Sequence, residues 1–222
     1  MNKDSKKALE LDASDVLKTY KNQFVNDENL IYLDGNSLGK LPLKTISEQS
    51  DLIKNQWGNR LIRGWNDGWI DLSNRISEKI ARLVGAQPDE IFVGDTTSLN
   101  LYKLAFAALS KQNDKHKVVT DDLNFPSDLY VLQGLIATHF PKHTLQIAAS
   151  NGKDMPKASL EKVLDQSTSL LSLSHVTYKS SFLYAMKDIN EMAHKNGSLV
   201  LWDLSHSVGA VPIQLNESNA DM

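Results

Sequence analysis

The chain has 222 residues, 41% of them hydrophobic and 23% charged, with a formal net charge of −3 at pH 7. This balance describes a globular protein with a sizeable core, and it excludes the polycation that nucleic acid or an anionic membrane would call for. There is no cysteine, which removes disulfides, thiolate zinc sites and cysteine nucleophiles and is compatible with a reducing cytosol.

In chain order, "MNKDSKKALELDASD" lacks the apolar core of a signal peptide, and no apolar run approaches membrane-spanning length. A soluble, cytoplasmic protein is the expectation. Val16, Leu17, Tyr20 and Phe24, spaced three or four apart after a possible cap at Ser14, predict a helix in an N-terminal arm. "LIYLDGNSLGKLP" predicts a short strand and a loop punctuated by Gly, Asn and Pro. From Leu43 onward helices are predicted over 43–57, 72–84, 98–110, 127–139, 157–166 and 187–195. Between them lie "EIFVG" (90–94), "KVVTD" (117–121), "TLQIA" (144–148), "SLLSLS" (169–174) and "LVLWD" (199–203), read as strands, with a solvated loop over 110–117. Most are apolar without alternation, as in a parallel sheet covered on both faces. The fold class is therefore α/β, a three-layer α/β/α domain over residues 43–222 preceded by an arm over 1–42.

In open sheets of this kind ligands sit outside the C-terminal ends of the strands. After "EIFVG", Thr97 and Ser98 stand where a helix begins, beside Gly94. Free N–H groups and hydroxyls there suit a phosphate, although capping by Asp95 or Thr96 explains the same residues. After "KVVTD" come Phe125, Pro126, Ser127 and Asp128. Proline opens the next helix and aspartate favours its positive end, while Phe125 is either a hydrophobic staple or an exposed aromatic plate. Ser174 and His175 end the fourth predicted strand; Asp203 ends the fifth, and His206 follows it. A carboxylate at the end of a buried strand costs several kcal/mol, roughly, unless a cation meets it. No pair of histidines has metal-ligand spacing, and no metal is assigned. Hydroxyls for a phosphate, an aromatic plate, a small hydroxyl and a carboxylate together suit a flat, phosphorylated, cationic heteroaromatic ring. Pyridoxal phosphate is such a ring.

These residues lie in "YLDGNSLGKLP", "WGNRLIRGWNDGW", "VGDTTSLNLYKL", "NFPSDLY", "SHVTYKSS" and "WDLSHSVGAVP", through which the chain resembles the kynureninases from about residue 14 to its end. These are pyridoxal-phosphate hydrolases of the aspartate-aminotransferase fold. The resemblance implies that Thr97 and Ser98 contact the cofactor phosphate and that Phe125 stacks on its ring. It implies that Pro126, Ser127 and Asp128 help hold the cofactor, that Ser174 lies near the ring, and that Asp203 pairs with the pyridine nitrogen beside His206. Trp65 would line the substrate pocket; on the residues alone it is equally a core or interface tryptophan.

The implied reaction is hydrolysis of L-kynurenine, or its 3-hydroxy analogue, to the corresponding anthranilate and L-alanine by a homodimer. Two positions depart from the family pattern. Ser180 and Ser181 replace a Thr-Gly pair, removing a glycine from a turn, and Ser205 stands where alanine is common. In the family the Schiff-base lysine lies in a "YKYLNGGPG"-like segment beyond the last motif, which this sequence does not include. The large domain is expected to be truncated, with exposed sheet edges and poor solubility, and the chain alone to turn over no substrate. Lys179, the best substitute by position, is expected to be solvated. Two other readings are a related class V aminotransferase or desulfurase-like enzyme, and a non-catalytic remnant or interaction module.

Overall fold

In a computed structural model, residues 3–27, 29–112 and 114–222 are described. Contacts divide the chain into a first unit ending at Ile70 and a second beginning at Asp71.

The first unit contains α1 (Lys3–Ser14), a 3₁₀ turn over Lys18–Gln23, and α2 (Leu43–Asp51), which continues as a wide π-helical stretch over Leu52–Asn59. The expected helix after Ser14 is not formed; Ser14 instead ends α1. Its hydroxyl donates to the Leu11 carbonyl, Lys18 Nζ donates to the Ala13 carbonyl, and the Asp15 side chain accepts from Leu17 N, so the local polar groups close the helix there. The short strand expected in "LIYLDG" is likewise absent. Tyr32 donates to the Asp34 and Leu38 carbonyls and folds this stretch into turns. The sole pairing nearby is an isolated bridge between Phe24 and Pro42.

The second unit holds α3 (Leu72–Val84), α4 (Thr97–Lys111), α5 (Pro126–His139), α6 (Lys157–Val163) and α7 (Met186–Lys195). They surround β1 (Lys117–Asp121), β2 (Thr144–Ala148), β3 (Thr168–Ser174) and β4 (Leu199–Asp203). The strands form one parallel sheet in the order β2-β1-β3-β4. Successive strand residues point to opposite faces, and the two cores follow that rule. Val118, Leu170 and Leu201 pack with Leu101, Ala105 and Leu109 of α4 and Leu132 and Leu135 of α5. Their neighbours Val119, Leu171 and Val200 pack with Leu160 of α6 and with Ile189 and Met192 of α7. Helices thus cover both faces, and the expected α/β layering is present.

The predicted strand at 90–94 is the exception. Pro88–Glu90 is a 3₁₀ turn and 91–94 joins no ladder. Its carbonyls go to side chains instead: Ser77 Oγ donates to Ile91 O, Ser73 Oγ to Val93 O, and Asn100 Nδ2 to Gly94 O. Among the described residues no helix is long and apolar enough to cross a membrane.

Candidate functional site

Because all four strands run the same way, Asp121, Ala148, Ser174 and Asp203 end along one edge of the sheet. Ser174 and Asp203 are directly paired in the ladder. Each chain reversal at this edge begins with a polar residue, and the hydrogen bonds show what each holds.

Asp203 is buried. Its Oδ1 accepts from Ser205 N at 2.7 Å and Ser205 Oγ at 2.6 Å, while Oδ2 lies 3.5 Å from Ser174 Oγ. Asp128 reaches the same place from the first turn of α5. It is 1% exposed, Ser127 Oγ donates to its Oδ1 at 3.3 Å, and its buried Oδ2 has no hydrogen-bond partner. Burial, and then the neighbouring Asp203 charge, push the Asp128 carboxyl up to about 7. Two carboxyl groups within hydrogen-bonding reach, out of water, form a site that a cation would relieve.

Phe125 precedes α5 with its ring 38% exposed. It meets Tyr178 edge-on at 5.1 Å between centroids and lies 6.0 Å from the His206 ring. His206 Nδ1 is buried without a partner. Phe125, His206, Asp128, Asp203 and Ser174 therefore gather at one edge. The proline at N1 fixes the entry to α5, as its restricted φ favours.

Thr97 and Ser98 open α4 behind the N-cap Thr96, whose hydroxyl accepts from Leu99 N at 3.4 Å. Capping is thus met by Thr96, and no side-chain hydrogen bond engages Thr97 or Ser98 among the described residues. Since α4 leads into the start of β1, its N-terminus lies toward the strand-end edge. Trp65 belongs to the first unit, half exposed, with an edge-on contact to Trp69. His175 is buried edge-on against Trp202, and burial lowers its pKa. Lys179 is exposed, with its ammonium 5.3 Å from the centre of the Tyr178 ring.

Several residues here gave no separate signal in the sequence. Asn124 is buried and hydrogen-bonded to three parts of the edge. Tyr184 donates to Asp121, tying the loop after β1 to the loop after β3. Burial raises both of their pKa values. Ser205, expected to matter little, is a double donor to Asp203. A serine in place of alanine is conspicuous only once its hydroxyl is seen on a carboxylate.

A parallel sheet with buried carboxyls, a half-exposed aromatic ring and a free-hydroxyl helix start at its strand ends defines a small-molecule site of the open α/β type. The aminotransferase class-V profile matches residues 31–222, and the chain belongs to that family. It is 41% identical over 218 residues to the kynureninase of Pseudomonas fluorescens, an alignment covering 96% of this chain and 51% of that protein. It is 38% identical over 225 residues to the kynureninase of Burkholderia mallei (strain SAVP1), covering 99% and 52%. The chain thus spans about half the length of these curated relatives.

Among solved structures, a C-DES mutant with glycine covalently linked to its PLP cofactor superposes with a TM-score of 0.78. It shares 17% identity and covers 90% of this chain and 53% of its own. The cysteine desulfurase CsdA of Escherichia coli gives 0.76 at 14% identity, covering 91% and 52%. At these identities the likeness shows the fold.

Proposed function

We propose that the chain is the cofactor-holding part of a kynureninase-like hydrolase, and that its strand-end edge takes pyridoxal phosphate. The observation that carries this reading is the buried Asp128–Asp203 pair, one oxygen of which has no partner, beside the half-exposed face of Phe125. A flat ring with a protonated nitrogen satisfies both features. The residues therefore fit the group.

In this reading Asp203 holds the protonated ring nitrogen, with its Oδ1 fixed by Ser205 and its Oδ2 free to face the ring. Asp128 keeps the site anionic. Phe125 covers one ring face and His206 stands at its rim. Pro126 and Ser127 shape the turn that carries Asp128, and Thr97 and Ser98 meet the phosphate with the N–H groups of α4. When bound, pyridoxal phosphate supplies an electron sink that stabilises a carbanion on an attached amino acid. The substrate is L-kynurenine or its 3-hydroxy analogue, with Trp65 packing its aromatic ring, and the products are the anthranilate and L-alanine. The complete enzyme is a cytoplasmic homodimer. The kynureninase relatives support the chemistry, and the parallel sheet with its layered helices supports the arm-and-large-domain organisation.

The experiment is equilibrium binding of pyridoxal phosphate to the 222-residue chain and to Asp203→Asn, with anthranilate fluorescence recorded after addition of kynurenine. Binding by the parent chain that weakens in the variant is expected, without anthranilate. Equal binding by both, or none by either, overturns the reading.

A further inference from the structure

We propose that Asn124 is a positioning residue that fixes the direction of the Ser174 hydroxyl, so that Ser174 meets a bound ligand as a hydrogen-bond acceptor. This rests on the cofactor-binding reading above and assigns a polarity to one side of that site.

Asn124 lies between β1 and α5 and is almost fully buried. Its Nδ2 donates to Thr120 Oγ1 at 3.0 Å and, more weakly, to Ser172 O at 3.4 Å. Its Oδ1 accepts from Phe125 N at 2.9 Å and from Ser174 Oγ at 2.6 Å. The amide is therefore used to capacity, with two donors and two acceptor positions engaged.

Its orientation is dictated by groups that have no choice. A backbone N–H only donates, so the amide oxygen must face Phe125. A backbone carbonyl only accepts, so the NH₂ must face Ser172. Flipping the amide would set N–H against N–H at one end and oxygen against oxygen at the other.

The consequence falls on Ser174. It faces the amide oxygen, which cannot donate, so Ser174 must. A serine hydroxyl has one proton, and the competing acceptor, Asp203 Oδ2, is 3.5 Å away against 2.6 Å for Asn124. At those lengths the proton belongs to Asn124. What Ser174 can offer a ligand is a lone pair. Asp203 Oδ2, receiving little from Ser174, is left for a cationic partner.

A pyridinol ring carries two donors, its protonated nitrogen and its phenol. The carboxylate suits the first and an acceptor-only hydroxyl suits the second. Through Phe125 N the same amide also anchors the residue that supplies the aromatic plate.

The test uses the 222-residue chain with 4′-deoxypyridoxine 5′-phosphate, which has no aldehyde to react with lysines, and with its 3-O-methyl ether, which lacks the phenolic donor. The parent chain is expected to prefer the phenol about tenfold, the size of one net hydrogen bond. Asn124→Ala frees Ser174 to donate, and the preference is expected to shrink to about twofold or less, with a shift in the near-ultraviolet band of the bound phenol. Ser174→Ala should lose the same preference, and the double variant should lose no more than either single one. Asn124→Asp keeps an oxygen for Phe125 and Ser174 and should restore the preference. Urea midpoints record the fold of each variant.

If Asn124→Ala lowers the urea midpoint yet keeps both the preference and the bound spectrum, Asn124 is merely structural and the proposal is overturned. If Asn124→Ala does not fold, Asn124→Asp and Ser174→Ala decide: preference kept in the first and lost in the second supports the proposal, and any other pattern overturns it. If the parent chain binds neither compound, the cofactor-binding reading fails, and this proposal with it.

Discussion

Asp128, in the first turn of α5, and Asp203, at the end of β4, hold their carboxyl groups within hydrogen-bonding reach of each other. Neither segment is near the other in sequence; the ladder and the start of a helix bring them together. The pair makes the ligand-free site sensitive to pH.

Burial and the Asp203 charge raise Asp128 to about 7 in the folded chain from the ordinary carboxylate range. The folded state then binds more protons than the unfolded state between about pH 4 and pH 7, so stability is greatest below that window and falls as pH rises through it. The slope from this one group is about 1.4 kcal/mol per pH unit at its steepest. Urea titrations from pH 4 to 8 should show it, and Asp128→Asn should flatten the profile. In the same window pyridoxal phosphate should bind with release of a proton, measurable as a buffer-dependent heat.

Asp203→Asn should weaken pyridoxal phosphate binding by about thirtyfold or more, because removing one member of a buried charged pair costs about 2 kcal/mol or above. Ser205→Ala, which removes one of two donors to Oδ1, should have a smaller effect of about three- to tenfold. Equilibrium dialysis of both variants against the parent chain checks the order.

Thr97→Ala combined with Ser98→Ala should weaken pyridoxal phosphate about tenfold and leave unphosphorylated pyridoxal unchanged. Thr96 remains to cap α4, so the urea midpoint should hold. Equal weakening of both ligands would remove these residues from a phosphate site.

Ser181, where relatives resembling this chain carry glycine, has φ +57 and is exposed. The turn is kept in spite of the side chain. It is held by Ser181 N donating to Thr177 O and Phe182 N donating to Thr177 Oγ1. A left-handed residue with a Cβ costs about 1–2 kcal/mol. Ser181→Gly should therefore raise stability by about 1 kcal/mol, less than the full strain because glycine loses more freedom on folding. A rise in urea midpoint with unchanged cofactor binding is the expected result.

The sheet was legible because its strands are apolar runs buried on both faces, a pattern the sequence displays at Lys117–Asp121 and Leu199–Asp203 without help from partners. Residues 91–94 carry the same apolar signal and are no strand. Their carbonyls are taken by Ser73, Ser77 and Asn100, and nothing in a run of hydrophobic letters announces a serine from another element. Helix α1 escaped notice for the opposite reason: it buries no residue and so shows no apolar stripe. At the site, the strand-ending residues and the "FPSD" turn stood out by position. Asn124 did not, because an asparagine beside a Phe-Pro pair is ordinary loop composition until its four hydrogen bonds are counted.

The direct pairing of Ser174 with Asp203 carries a consequence for how the chain reaches its native state. Displacing β4 by a single step would set Leu173 beside the carboxylate and turn Val200 and Leu201 toward each other's helices. Misaligned assembly would thus forfeit both hydrophobic layers as well as the chemistry. Burial of aliphatic side chains, which knows nothing of ligands, is what proofreads the alignment of the polar ones.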